Sequence, residues 1–472
     1  MRPAAPTIDR RRHPMTLHRS PGTLVVQALV AAGLMGFGAL HGATPQDAAK
    51  LASSEYTPVG AERKGNAAGT IPEWRPLTAT PAGVTGVVTG QRYPNPFASE
   101  KPIVTITSAN ADQHADKLTP GQLALLKRGP DEKMLVYPSH RTCAYPEAIY
   151  KKTAQNVGRA KLSADGNALS GGVGGFPFPL PANGHEIMWN HKANYYGGTR
   201  FRTVNAGFLV NRDGSFEPST QVEEIAFPFH MDESERAGLE KFNFLTKVTT
   251  QQPARRKGNV LLIHDPLDGA NDKREGWIYL TALRRMLRGP DVRHDAPDPD
   301  SQGLLTIDQR NMFSDSLERY DWKIVGKAEK YIGYNGYRAF EVPPAERAKF
   351  VVKGRLAPEL MRYELHRVWV IEATLKPGQR HIYPKRVFYM DEDSWYIAAA
   401  DMYDAQGKLW RTSETQIINF YDRPSCLPAV RVNYDLLDEK YYVELWSEKY
   451  EYVVPELNAA FFSPDSLRRG QR

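Results

Sequence analysis

His185-Glu186 followed by His191 is the arrangement in this chain that comes nearest to a catalytic centre. A zinc hydrolase helix uses His-Glu-x-x-His, because a spacing of four puts both imidazoles on one face, one turn apart. Here the second histidine comes at a spacing of six, which turns it well over a hundred degrees from the first, so one regular helix cannot offer both to one ion. Ala168-Leu169-Ser170-Gly171-Gly172 has the outline of a degenerate nucleophile elbow, but an elbow needs an apolar strand before the serine and a helix after it. Polar residues Ser163 to Asn167 precede it and a Phe/Pro arm follows. The same glycine run lacks the Gly-Lys-Ser/Thr ending of a phosphate loop. Asp265, Asp268 and Asp272 lack the spacing and terminal glutamate of a calcium loop and read as a surface turn. His140, His264, His366 and His381 stand alone and read as structural. The chain is therefore read as a non-enzyme with no cofactor, no metal and no catalytic residue. A hydrolase working through His185 and Glu186 ranks third among the readings.

Large amphipathic side chains are the better lead. Trp277, Tyr279, Trp322, Trp369, Tyr389, Trp395 and Trp410 fall along segments of alternating polarity, and the plain expectation is that most fill a core. If a curved sheet encloses more volume than its covering elements can fill, some of them face an apolar cavity instead. The side chains expected to line it are Phe176, Phe178, Met188 and Trp189 from the first half. Trp277, Tyr279, Trp369 and Trp410 join them from the strands.

The elements that position these residues follow from punctuation and period. Residues 44–100 hold a short helix around Gln46 to Ser53, then a proline- and glycine-rich run that reads as a clasp over the core, anchored by Ile71, Trp74, Tyr93 and Phe97. Short helices are predicted at Thr119 to Lys127 and Pro146 to Val157, and a third is opened by Asn183. Pro177, Pro179 and Pro181 hold the arm before it extended. From Phe201 onward the period is two: a hairpin turning at Asn211-Arg212-Asp213-Gly214, then strands at Trp277 to Leu287, Trp322 to Tyr331, Tyr363 to Thr374, Arg386 to Met390, Trp395 to Tyr403, Leu409 to Tyr421 and Tyr441 to Tyr450. Asp298-Pro299-Asp300 reads as a surface loop. The fold class is α+β, mainly β: a large curved antiparallel sheet with a few helices packed in its concavity. Residues 44–200 form the clasp and helices, 201–472 the sheet, and 44–472 one continuous unit.

Arginines at positions 2, 10, 11, 12 and 19 precede an apolar stretch from Leu24 to Leu40 and a small-residue exit at His41-Gly42-Ala43, so residues 1–43 read as a cleaved signal peptide. Met15 offers a second start for the same signal. No later stretch is long and apolar enough to span a membrane, and no cysteine follows the apolar region to carry a lipid anchor. The expected product is soluble and exported, remote from ATP and reduced nicotinamide. The net charge of +7 falls to +3 once the leader is removed, which gives no reason to expect nucleic acid. Two cysteines, Cys143 and Cys426, in an oxidising compartment read as one disulfide, with two buried free thiols as the alternative.

Five stretches carry a family likeness: Gly69 to Trp74 (GTIPEW), Asn95 to Gln122, Tyr137 to Pro146 (YPSHRTCAYP), Gly174 to His191 (GGFPFPLPANGHEIMWNH) and Trp277 to Asp291. They resemble the DUF1329 family of Gram-negative periplasmic proteins, often labelled outer membrane lipoprotein-sorting proteins. The resemblance implies a half-open, LolA/LolB-like barrel holding acyl chains, and genetic company with the DUF1302 family and exporters of the resistance-nodulation-division type. It brings no catalytic residue. The function expected is that of a soluble periplasmic carrier of a hydrophobic ligand, a lipid, acyl chain or apolar metabolite, linked to outer-membrane transport or lipoprotein sorting. The alternative is a periplasmic assembly or adaptor subunit for an exporter or outer-membrane partner.

Overall fold

Alternating polarity draws most of the chain into a single fifteen-stranded sheet in the computed structural model, which describes residues 42–288, 294–452 and 454–469. The signal peptide expected over 1–43 lies outside the described residues apart from its last two. Strands β1 (Val104–Thr107) and β2 (Lys133–Val136) come early; β3 (Lys161–Leu162) and β4 (Leu169–Ser170) form a small separate pair. A first meander runs through β5 (Arg200–Val210), β6 (Phe216–Ala226), β7 (Phe242–Gln252), β8 (Val260–Pro266), β9 (Glu275–Leu280) and β10 (Arg285–Arg288). After β11 (Tyr320–Gly333) and the minor pair β12 (Val351–Val352) and β13 (Arg355–Leu356), a second meander takes β14 (Tyr363–Leu375), β15 (Lys385–Asp391), β16 (Ile397–Tyr403), β17 (Leu409–Asn419), β18 (Cys426–Asp435) and β19 (Lys440–Tyr452). The two meanders join where β19 pairs with β5, and β1 and β2 extend the far end beyond β14. Among the described residues every pairing of two strands is antiparallel except the contact of Val136 with Tyr363, and the isolated bridge of Tyr334 to Ile417 is parallel too. The sheet is open and mainly antiparallel, as expected.

It also curls. β11 lies on the outer edge of β14, yet Tyr334 just past its end bridges to Ile417 on β17, across the arc of β14, β15 and β16. Five strands thus wrap toward one another around a packed interior. Helix α3 (Gly184–Lys192) plugs it: Asn183 caps the helix by accepting a hydrogen bond from the Glu186 amide at 3.0 Å, and Ile187, Met188 and Trp189 are fully buried. Phe313, Trp322, Trp369, Phe388 and Trp395 fill the same core.

Two sequence expectations change here. Trp277 to Leu287 is not one strand but the hairpin β9–β10, which turns through Arg284 in left-handed backbone at φ 48° with Leu283 exposed at the turn. Asp298-Pro299-Asp300 is not a surface loop: Asp298 and Asp300 are buried by their ion pairs with Arg310. The clasp anchors dock as expected. Ile71 and Tyr93 are buried, Trp74 donates its indole N–H to the Cys143 carbonyl at 3.0 Å, and Phe97 stacks on His140. The disulfide Cys143–Cys426 forms and ties the segment after β2 to the start of β18, closing a sequence separation of 283.

Helix α1 (Pro120–Leu126) shows how tightly a helix sits on this sheet. Thr119 and Gln122 form a reciprocal capping box behind Pro120. The helix then meets β16 and β17 through Gly121, where a Cβ would lie 2.1 Å from the Thr412 hydroxyl and 2.3 Å from the Asp401 carboxylate. That leaves Asp401 buried, held by Thr412 Oγ1 at 2.8 Å and the Gly121 amide at 3.3 Å, and its burial pushes the carboxyl up to about 7. Between an unfolded value near 3.8 and this folded value, only the folded state keeps the proton. Stability from this group is therefore full below the window and is lost as pH rises through it. Asp401→Asn, which has no proton to lose, is expected to gain on the wild type by up to about 1.4 kcal/mol per pH unit between pH 4 and 7. Urea melts at pH 4.5 and 7.5 check it; parallel curves for the two proteins would refute it.

Candidate functional site

The remaining wing of the sheet, β18-β19-β5-β6-β7-β8, has an inner face that is not filled. Between it and the irregular segment 294–316 lies a pocket of about 1090 Å³, counting the space at its mouth. The walls follow from strand alternation. β5 turns Phe201, Thr203 and Asn205 inward; β6 turns Ser219, Gln221, Glu223 and Ile225; β7 turns Phe244, Thr246 and Val248.

Register sorts these side chains into rows. Phe201 faces Ile225, and around them Tyr196 stacks on Phe227 at 4.8 Å with Phe244 beyond, which makes one end aromatic. The next row is Tyr450, Thr203, Glu223 and Val248, and the one after it Ser447, Asn205 and Gln221. Farther on, Gly207 opposite Ser219 lets the strands and Tyr442 close in: a Cβ there would lie 2.6 Å from the Ser219 hydroxyl and 3.0 Å from that of Tyr442. The pocket therefore grades from apolar to polar along its strands. The amide nitrogen of Gln221 has no hydrogen-bond partner among the described residues.

The cover is built from charges and strained backbone. Arg310 lies 2.7 Å from Asp298 and 2.9 Å from Asp300, and Asp298 also accepts from the backbone amides of Asp300 and Ser301. Burial, with Asp300 alongside, pushes the Asp298 carboxyl up to about 6 although Arg310 opposes it. Asn311 and Met312 both adopt left-handed backbone, which costs non-glycine residues energy and persists only where the surroundings hold it. They do hold it: the Asn311 side-chain oxygen accepts from the Tyr196 and Tyr396 hydroxyls, and its carbonyl lies 2.8 Å from His191 Nε2. Arg431 completes the floor, paired with Glu444 at 2.9 Å and donating to the Tyr396 hydroxyl at 2.9 Å.

None of the side chains expected to line a cavity stands in this wall. Phe176, Phe178, Met188, Trp189 and Trp369 are buried in the core around α3, and Trp410 packs half-buried against it, its indole donating to Asp435 at 3.0 Å. Trp277 lies in a separate core with Leu262 and Phe462, and Tyr279 packs beside it. Large rings fill space, so they leave little to enclose. The lining residues that sequence reading missed include a set of polar strand residues, whose alternation Thr203-x-Asn205 and Ser219-x-Gln221-x-Glu223 looks like a solvent face.

Other groups that could do chemistry are occupied by the fold. Glu186 accepts from the Ala182 amide at 2.7 Å and so serves the start of α3, while His191 sits between the carbonyls of Asn311 and Trp395, its burial lowering it to about 4. His185 lies beside Gly166, and none of the three reaches the pocket. Asp265 is no surface turn: it is buried beside Lys192 and Arg274. His366, Asp391 and Asp393 bring ligand-type atoms within 4.8 Å of one another. However, the Arg141 fork takes both oxygens of Asp393, at 2.8 and 2.7 Å, and Ser394 takes one of Asp391, so the cluster belongs to an internal charge network.

A model of the DUF1329 family, described as a protein of unknown function, matches residues 105–468. The Pseudomonas aeruginosa uncharacterized protein PA3922 is 40% identical over 419 residues, covering 89% of this chain and 91% of that one. Among solved structures, a domain named for outer membrane lipoprotein sorting from Vibrio parahaemolyticus is similar at 16% identity and a TM-score of 0.43, over 60% of this chain and 97% of its own. A DUF1329 protein from Desulfovibrio piger is similar at 15% and 0.40, over 57% and 92%. A LolA superfamily protein from Nitrosomonas europaea is similar at 11% and 0.37, over 61% and 100%.

Proposed function

The chain belongs to the DUF1329 family, and from that premise we propose that it is a periplasmic carrier that holds a hydrophobic ligand between the β5–β8 wing and the segment 294–316. The observation that carries this reading is the pocket itself, walled by Phe201, Phe227 and Phe244 at one end, on a sheet whose other half is densely packed. Each buried methylene contributes about 0.8 kcal/mol, so an alkyl chain laid among these rings gains against the entropy lost on capture. Delivery to the outer membrane or to lipoprotein sorting is part of the proposal, as is export by the basic and apolar leader. Among the described residues no helix is long and apolar enough to cross a membrane.

The second reading, an adaptor for an exporter of the resistance-nodulation-division type or a DUF1302 partner, needs an oily outer surface. Its support is thin: Ile103 and Val88 are exposed but scattered, and the aromatics of the clasp turn inward. Titration with the uncharged dye N-phenyl-1-naphthylamine separates the two. A carrier is expected to give saturable fluorescence enhancement at one dye per chain. No saturable enhancement, together with ligand-free protein in native mass spectra of material from its own host, would sink the carrier reading.

A further inference from the structure

Every charged side chain that lines the pocket has an opposite charge within ion-pair distance, with one exception. Lys192 has Asp265, Arg310 has Asp298 and Asp300, and Arg431 and Glu444 have each other. Glu223 has none. Its two carboxylate oxygens receive only neutral donors, Thr246 Oγ1 at 3.2 Å and Asn205 Nδ2 at 3.4 Å, although a carboxylate can accept about four hydrogen bonds. Glu223 is half-buried in the pocket wall, and its desolvation raises its carboxyl above the ordinary glutamate range although Arg310 and Arg431 oppose the shift from a distance.

Its place in the register matters as much as its isolation. Glu223 stands in the row between the aromatic end, headed by Phe201 and Ile225, and the polar end headed by Asn205 and Gln221. A ligand whose apolar body lies among Phe201, Phe227 and Phe244 therefore presents its polar group at Glu223. On this face an anionic group meets an unpaired carboxylate, and the nearby guanidiniums are already committed, Arg310 to the buried Asp298 and Asp300 and Arg431 to the half-buried Glu444, acids that would lose their counter-charge if the guanidiniums were drawn away. A cationic group meets the one charge that lacks a partner, with the Tyr450 ring in the same row to add cation–π attraction.

We infer that the ligand is a cationic amphiphile, an apolar body bearing a protonated amine, with Glu223 as its counter-ion. This rests on the carrier reading and narrows it to a chemical class. The unused Gln221 amide, two residues along the same face, would take a hydroxyl or ether oxygen next to the amine.

Competition against bound N-phenyl-1-naphthylamine at pH 7, with dodecylamine, dodecanol and dodecanoate kept below their micelle concentrations, tests it. Dodecylamine is expected to displace the dye at a concentration at least tenfold lower than dodecanoate, with dodecanol between them. Glu223→Gln is expected to shrink that amine-to-acid ratio to within about twofold. Failure of the dye to bind, together with ligand-free protein in native mass spectra, would remove the carrier reading itself. Dye binding with dodecanoate competing as well as dodecylamine would overturn the inference and leave carriage standing, and this wild-type ranking decides the matter even if the variant does not fold. A Glu223→Gln protein that keeps the full tenfold ratio would overturn the assignment to Glu223.

Discussion

Gln221→Trp is expected to weaken N-phenyl-1-naphthylamine binding at least tenfold, about 1.4 kcal/mol, while circular dichroism and the thermal midpoint stay close to wild type. Position 221 points into the pocket from the middle of β6, and its amide nitrogen has no partner to lose. An indole there fills the polar row and reaches over the neighbouring row of Glu223. Overpacking is the usual cost of a small-to-large change, but that cost arises in filled interiors, and this site has room. The fold therefore has little to lose and the ligand has its berth to lose. Undiminished binding with an intact fold would mean that the dye sits elsewhere, most simply in the smaller pocket by Gln122, Tyr363 and Tyr434.

Much of the framework could be read before any coordinates, because the signals were local. Asn211 to Gly214 carries its own turn chemistry, and Asn183 announces the start of α3 by a side chain that serves a backbone amide three residues on. Strands β14 to β17 declare themselves by period. What stayed hidden depends on partners far apart in the chain. Nothing in Tyr441 to Tyr450 says that it will pair with β5, more than two hundred residues away, yet that pairing creates the wing that bears the pocket. Asp298 and Asp300 look like loop residues until Arg310 arrives to neutralise them.

The pocket wall was misplaced for a physical reason. A search for oily lining picks Trp189, Trp277 and Trp369, and these are the side chains best able to fill a core, so they end up in one. A pocket survives where inward-facing residues are short or polar and cannot collapse onto each other. Thr203, Asn205, Ser219 and Gln221 meet that condition. The usable signal was a strand pair polar on the same face as Phe201 and Ile225.

Arg141→Met is the substitution expected to cost the fold most, about 3–5 kcal/mol, because it leaves buried acids without their counter-charge. The guanidinium of Arg141 is fully buried. It grips Asp393 with two hydrogen bonds, touches Glu392, and donates to the carbonyls of Glu62 and Arg63 in the clasp. Glu392 survives the change better than Asp393: against its burial, Lys327 and Arg367 as well as Arg141 hold its carboxyl down to about 2, and two of those three remain. Asp393 has only Arg141 as an ion-pair partner among the described residues. It also stands beside Asp391, which burial and this neighbouring acid already push up to about 7. Removing the charge at 393 as well, in Arg141→Met/Asp393→Asn, is therefore expected to restore at least half of the loss in urea unfolding. The clasp carbonyls regain no donor in the double variant, so residues 62–72 should remain easier to cleave by protease than in wild type. A single-variant loss below about 1 kcal/mol, the size of a surface pair, would show that water and not Arg141 serves these carboxylates.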